Sequence, residues 1–145
     1  MEVRELTSKE EMLRYLPILQ ELYPKLTLEY YAEMLDEMLG NNYGQIAVFE
    51  GEDCIAISGY WIGTKLWCGK YLELDNVIVS EKARGTGAGK LIQQYLEEKA
   101  EHLGSHIMVL DAYSHNFKAH RFYYNQGYAP RGFHFIKILE EEKLT

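Results

Sequence analysis

The stretch LELDNVIVSEKARGTGAGKLIQQYL, residues 72–96, changes pattern twice within one run. It opens as a β-rich segment, and Leu91, Ile92, Tyr95 and Leu96 at its end repeat at helical spacing. Between them Gly85, Gly87 and Gly89 lie between the basic residues Arg84 and Lys90, a composition suited to a phosphate. The ATP-binding pattern G-x-x-x-x-G-K-[ST] fails at two required positions: its first glycine would fall on Arg84, and Leu91 follows the lysine where a hydroxyl must meet Mg²⁺. The dinucleotide pattern G-x-G-x-x-G fails as well, since it demands glycine at Lys90 or Ile92. What remains is R-x-x-G-x-G at Arg84, Gly87 and Gly89. Glycines in such a turn let backbone N–H groups converge on an anion, and the following helix adds partial positive charge. The plainer alternative is a glycine-rich turn that only caps the helix.

Outward from this stretch the chain reads as one domain, residues 1–145, without repeats or a Pro/Gly/Ser linker. Residues 2–6 form a strand. Ser8 opens a helix with Glu11 completing a capping box, and Pro17 must kink or restart it. A second helix follows Thr27, with Leu28, Tyr31, Leu35, Met38 and Leu39 on one face and Gly40 as its stop. QIAVFE and CIAISGYWIGTKLW flank a hairpin turn at GED, and a third strand runs over 70–79. The helix after the glycines ends at Gly104. HIMVLDA is a strand, NFKAHRFYYNQ a helix closed by Gly127, and FHFIKIL, residues 133–139, a final strand. The order is strand, two helices, three strands, helix, strand, helix, strand: an α/β (α+β) fold with a mixed, mostly antiparallel central sheet flanked by helices.

Composition narrows the function classes. Asp plus Glu outnumber Lys plus Arg by 22 to 15, so the net charge is −7. This opposes broad nucleic-acid binding, which needs a basic footprint, and suits a cationic partner. No apolar run approaches the roughly 18 residues of a membrane span, and the acidic start is unlike a signal peptide, so a cytoplasmic protein without membrane partners is expected. Cys54 and Cys68 match no metal or disulfide spacing, and the histidines form no metal pattern, so no metal is expected.

Residues 72–96 resemble the signature region of the GNAT superfamily of N-acetyltransferases, whose R/Q-x-x-G-x-G/A loop holds the pyrophosphate of acetyl-CoA. NFKAHRFYYNQGY, residues 116–128, is similar to a second segment of that family through Asn116, Ala119, Phe122, Tyr123, Gly127 and Tyr128. The resemblance implies acetyl-CoA as co-substrate. It also implies contacts to it from Arg84, Gly85, Thr86, Gly87, Ala88, Gly89 and Lys90, from Asn116, and from the backbone of Val77, Ile78 and Val79. Asn116 could instead simply cap its helix. The backbone role of Val77–Val79 requires the strand to bulge or splay and free donors from the ladder. A plain core strand would not supply them.

Acetyl transfer to an amine needs a base for the ammonium, donors for the oxyanion and a proton for the departing thiolate. Glu73 and Asp75 share one face of their strand by period two, and carboxylates in an apolar strand are costly without a purpose. Glu73 lies eleven residues before Arg84, where some family members place a general base. It is expected to serve as the base, directly or through water, with Asp75 attracting the ammonium. Structural pairing or exposure would be the ordinary fate of both. The resemblance makes Tyr123 the general acid. Tyr30 and Tyr31, with Tyr23, surround the connection between the first helices and could hold a cationic acceptor or simply pack in the core.

The expected activity is acetyl-CoA-dependent N-acetylation of a primary amine on a small molecule or peptide, by direct attack in a ternary complex. The oligomeric expectation admits a homodimer. A catalytically silent acyl-CoA-binding module would keep the loop without needing Glu73 or Tyr123, and a ping-pong route would run through Cys54 or Cys68.

Overall fold

Ser8 ends the first strand and starts the first helix. After β1 (Glu2–Leu6), its hydroxyl accepts the Glu11 N–H at 3.2 Å, and the Glu11 carboxylate accepts the Thr7 N–H at 2.9 Å, capping α1 (Lys9–Arg14). Pro17 has no N–H to give and sits in the first turn of a new helix, α2 (Leu16–Leu22). The Thr27 hydroxyl caps α3 (Leu28–Met38), accepting the Tyr30 N–H. Tyr31 and Leu35 of its apolar stripe are buried, while Leu28 and Leu39 at the ends are exposed. The left-handed residue before the next strand is Asn42, at φ 61°, rather than Gly40.

The computed structural model describes residues Met1–Thr145, which divide into two compact units, Met1–Val109 and Leu110–Thr145. In the first unit β1 runs antiparallel to β2 (Tyr43–Glu50), β2 to β3 (Asp53–Lys65), and β3 to β4 (Gly69–Val79). The β2–β3 hairpin turns on Gly51-Glu52, with Gly51 at φ 61°. A 3₁₀ turn (Glu81–Ala83) leads into α4 (Ala88–His102), and β5 (Ile107–Leu110) completes a sheet of order β1-β2-β3-β4-β5.

Alternation along the strands makes two apolar layers. Tyr43, Ala47, Phe49, Ile57 and Ile78 pack with Met12, Ile18, Leu19, Tyr31 and Leu35 from α1–α3. The intervening side chains of β2, Ile46 and Val48, point to the opposite face, and α4 packs on β1–β4 with Ile92, Leu96 and Ala100 buried. Each fully buried Leu or Ile stabilises the fold by roughly 1.5–3 kcal/mol.

The second unit contains α5 (Phe117–Asn125), closed by Gly127 at φ 92°. The expected strand over 133–139 is not formed: the sheet has five strands. FHFIKIL has the side chains of a strand, but a strand exists only through a ladder partner, which propensity cannot supply.

Candidate functional site

The register between β3 and β4 slips at one place. Ile57 pairs with Ile78 and Gly59 with Asp75, so Ser58 alone faces both Asn76 and Val77. Asn76 takes φ 52°, a left-handed conformation rare outside glycine and tolerated best by Asn and Asp. This is a β-bulge on β4, a device that leaves backbone groups out of the ladder and re-aims the strand. It begins one residue before Val77–Val79.

Glu73 and Asp75 lie just ahead of the bulge, both half-buried. Their cross-strand partners are Trp61 and Gly59, so both carboxylates share the face of the sheet that carries Trp61. The Trp61 indole N–H donates to Asp75 Oδ2 at 2.9 Å. Tyr43, opposite Trp61 on β2, holds its ring 4.7 Å from the indole, centroid to centroid. The Tyr43 ring lies over Gly59: a Cβ there would sit 2.5 Å from its hydroxyl, so only glycine leaves it room. Tyr31 is a core residue; the Gln45 amide donates to its hydroxyl at 2.7 Å and to that of Tyr43 at 3.0 Å. Burial pushes the Tyr31 phenol up to about 12 and raises that of Tyr43 further still. Tyr30, its neighbour, is exposed.

After the bulge the chain enters the glycine loop. Gly85 and Gly87 are its left-handed residues, at φ 78° and 92°, while Gly89 belongs to the first turn of α4. Gly87 is the N-cap and offers no side-chain acceptor, so the first N–H groups of α4 lack the usual cap. Thr86 folds back, its hydroxyl and N–H both donating to the Ala83 carbonyl. Ala88 is buried and anchors the helix; Arg84, Gly85, Thr86, Gly87 and Lys90 are exposed. A Cβ at Gly85 or Gly87 would meet nothing within 4 Å, so backbone conformation rather than crowding requires these glycines. The donors, the helix terminus and the exposed Arg84 fit a pyrophosphate.

Asn116 and Tyr123 belong to the second unit. Asn116 caps α5, its side-chain oxygen accepting the Ala119 N–H at 3.2 Å. Burial, with Tyr128 adding, pushes the Tyr123 phenol up to about 12; the two rings lie 5.6 Å apart. Cys54 is half-buried and its thiol is pushed up to about 11 by burial. Trp61, Tyr43 and Asn76 were not singled out from sequence. Alternation places Trp61 on the face of Ile57 and Gly59, and an asparagine inside a β-rich run is itself unusual, so both signals were present.

Residues 9–128 match the profile of the acetyltransferase (GNAT) family, and the chain belongs to it: it is an acetyltransferase. The uncharacterized N-acetyltransferase YhdJ of Bacillus subtilis (strain 168) is 28% identical over 122 residues, 83% of this chain and 86% of its own. Two solved structures share the fold. Glucosamine-6-phosphate N-acetyltransferase from Arabidopsis thaliana has a TM-score of 0.76 at 20% identity, covering 96% of this chain and 98% of its own. Ribosomal-protein-alanine N-acetyltransferase from Brucella melitensis biovar Abortus 2308 has a TM-score of 0.82 at 16% identity, covering 96% and 100%. No helix of this protein is long and apolar enough to cross a membrane.

Proposed function

We propose that this chain, as one domain over residues 1–145, transfers the acetyl group of acetyl-CoA to a primary amine of a small molecule or peptide, by direct attack in a ternary complex. The observation that carries this reading is the succession along one strand and loop: Glu73 and Asp75, the bulge at Asn76, then left-handed Gly85 and Gly87 at the N-terminus of α4. When bound, acetyl-CoA supplies the activated acyl thioester. Arg84, the loop Gly85–Lys90 and Asn116 bind and orient it, while the backbone of Val77–Val79, re-aimed by the bulge, meets the acyl oxygen and the pantetheine arm. Glu73 takes the proton of the ammonium, directly or through water. Asp75, with the exposed Tyr30 bordering the acceptor side, favours a cationic amine, while Tyr31 belongs to the core. Tyr123 holds a proton for the thiolate, because its phenol stays neutral until about 12.

A covalent route through Cys54 is disfavoured because burial pushes its thiol up to about 11, which leaves little thiolate at neutral pH. The acceptors named for the two structural neighbours, a sugar phosphate amine and a ribosomal-protein alanine, span both acceptor classes. The test is mass-spectrometric detection of products from acetyl-CoA and a pooled panel of polyamines, aminoglycosides, aminoalkylphosphonates, amino acids and peptides. A product that needs Tyr123 is expected. A complete lack of acetylated amine, with acetyl-CoA bound, would move the chain to a silent binding role.

A further inference from the structure

We propose that Asn76 is a positioning residue for the acyl end of acetyl-CoA, clasped in its left-handed conformation by Tyr23 and Tyr43. The proposal rests on the acetyl-CoA reading above and names the side chains that build the bulge on which that reading depends.

Three observations converge on Asn76. Its φ of 52° coincides with the only slip in the β3–β4 register, so its conformation and the bulge are one feature. In bulges of this type the left-handed position is ordinarily glycine, so an asparagine there must be stabilised by its side chain or its surroundings. The Tyr23 hydroxyl supplies that, donating to Asn76 Oδ1 at 2.5 Å across 53 residues of sequence. Tyr43 supplies a second hold. Its ring lies over Gly59, the partner of Asp75, and its phenol lies close enough to the Asn76 side chain to feel it.

The clasp has a direction. Tyr23 is the C-cap of α2 and begins the connection to α3; Tyr43 begins β2. Tyr23 bonds the Asn76 side chain, and Tyr43 lies on the face of the sheet that carries Asp75 and Trp61. The backbone turn at Asn76 is thereby fixed, and with it the orientation of the residues that follow on β4. Without the clasp, β4 is free to return to regular pairing through Ser58, and the backbone that follows loses the direction the bulge gives it. The glycine loop lies beyond Ser80 and keeps its own conformation through Gly85 and Gly87, so the grip on the pyrophosphate does not depend on the clasp.

Calorimetry with two ligands tests this. Acetyl-CoA uses both the loop and the bulge; 3′-phospho-ADP carries the nucleotide and pyrophosphate without the pantetheine arm. Asn76→Ala, which loses both the clasp and the tolerance for positive φ, should weaken acetyl-CoA binding about tenfold and leave 3′-phospho-ADP unchanged. Asn76→Gly, which regains the backbone conformation, should lose distinctly less. Tyr23→Phe, a change too small to threaten folding, should also weaken acetyl-CoA selectively. Equal losses on both ligands would make Asn76 a general support of the fold and overturn the proposal. So would unchanged acetyl-CoA affinity in Tyr23→Phe and Asn76→Ala. Wild-type protein that fails to bind acetyl-CoA would overturn the broader reading first.

Discussion

Trp61 donates its indole N–H to Asp75 while its own cross-strand partner is Glu73, so one aromatic residue bonds one carboxylate of β4 and stands opposite the residue that carries the other. Asp75 is tied to a neutral donor in the strand pair, which fixes its position and suits an electrostatic role. In the proposed reading the proton-accepting role falls to Glu73.

Glu73→Gln is expected to lower kcat/KM by about a hundredfold or more, the usual worth of a positioned base. Asp75→Asn, which keeps an acceptor for Trp61, should act mainly on KM and by less than tenfold. Steady-state kinetics across pH 6–9 checks both. The loss in Glu73→Gln should be greatest at low pH, where deprotonation of the ammonium limits the rate, and should shrink as pH rises; a pH–rate profile unchanged in shape would assign the base elsewhere.

Tyr123→Phe should lower kcat by about a hundredfold with acetyl-CoA affinity little changed. Because burial holds its phenol up to about 12 rather than the ordinary 10.0, the acid form persists across the working range. The wild-type profile should show no loss of activity from this group on approaching pH 10. Full activity in the phenylalanine variant would exclude an essential proton donor at this position.

Glu5 collects three donors from across the fold: Tyr60 at 3.0 Å, Tyr95 at 3.2 Å and Lys99 at 2.7 Å. It ties β1 to β3 and α4 through a half-exposed carboxylate. Glu5→Ala should destabilise the protein by about 1–3 kcal/mol, read as a drop in thermal midpoint of several degrees. Lys99→Met, which leaves both hydroxyl donors in place, should cost about 1 kcal/mol or less because the pair is partly screened. Equal effects of the two variants would contradict a three-donor hub.

Local chemistry made much of this structure legible in the sequence. The Ser8 capping box, the restart at Pro17, the two-residue turn at Gly51 and the loop glycines each depend on residues within a few positions. The bulge was required by the acetyl-CoA reading, yet its cause is distant: Tyr23 reaches Asn76 from another layer, and no local pattern encodes that bond. Tyr31 illustrates the same limit. An aromatic residue beside a helix start suits a pocket or a core equally, and only tertiary packing puts it against Gln45. The strand expected at 133–139 failed for the converse reason, since its side chains satisfied propensity but no ladder formed.

The buried phenols predict how stability responds to alkali. Tyr31 is held up to about 12 in the fold against 10.0 ordinarily, by burial, with the Gln45 amide opposing; Tyr43 and Tyr60 are raised by burial too. Below pH 10 both folded and unfolded chains keep these protons, and their contribution to stability is fully present. Between pH 10 and about 12 the unfolded chain releases the Tyr31 proton while the folded chain retains it. The unfolded state then binds fewer protons, so stability falls as pH rises, by up to about 1.4 kcal/mol per pH unit for each such group. Denaturant unfolding followed at pH 8, 10 and 11 should show midpoints falling steeply above pH 10. Tyr31→Phe should be less stable at pH 8 by about 1 kcal/mol, having lost the bond to Gln45, yet show a shallower decline. A decline as steep as that of the wild type would mean that Tyr31 does not titrate differently in the folded chain.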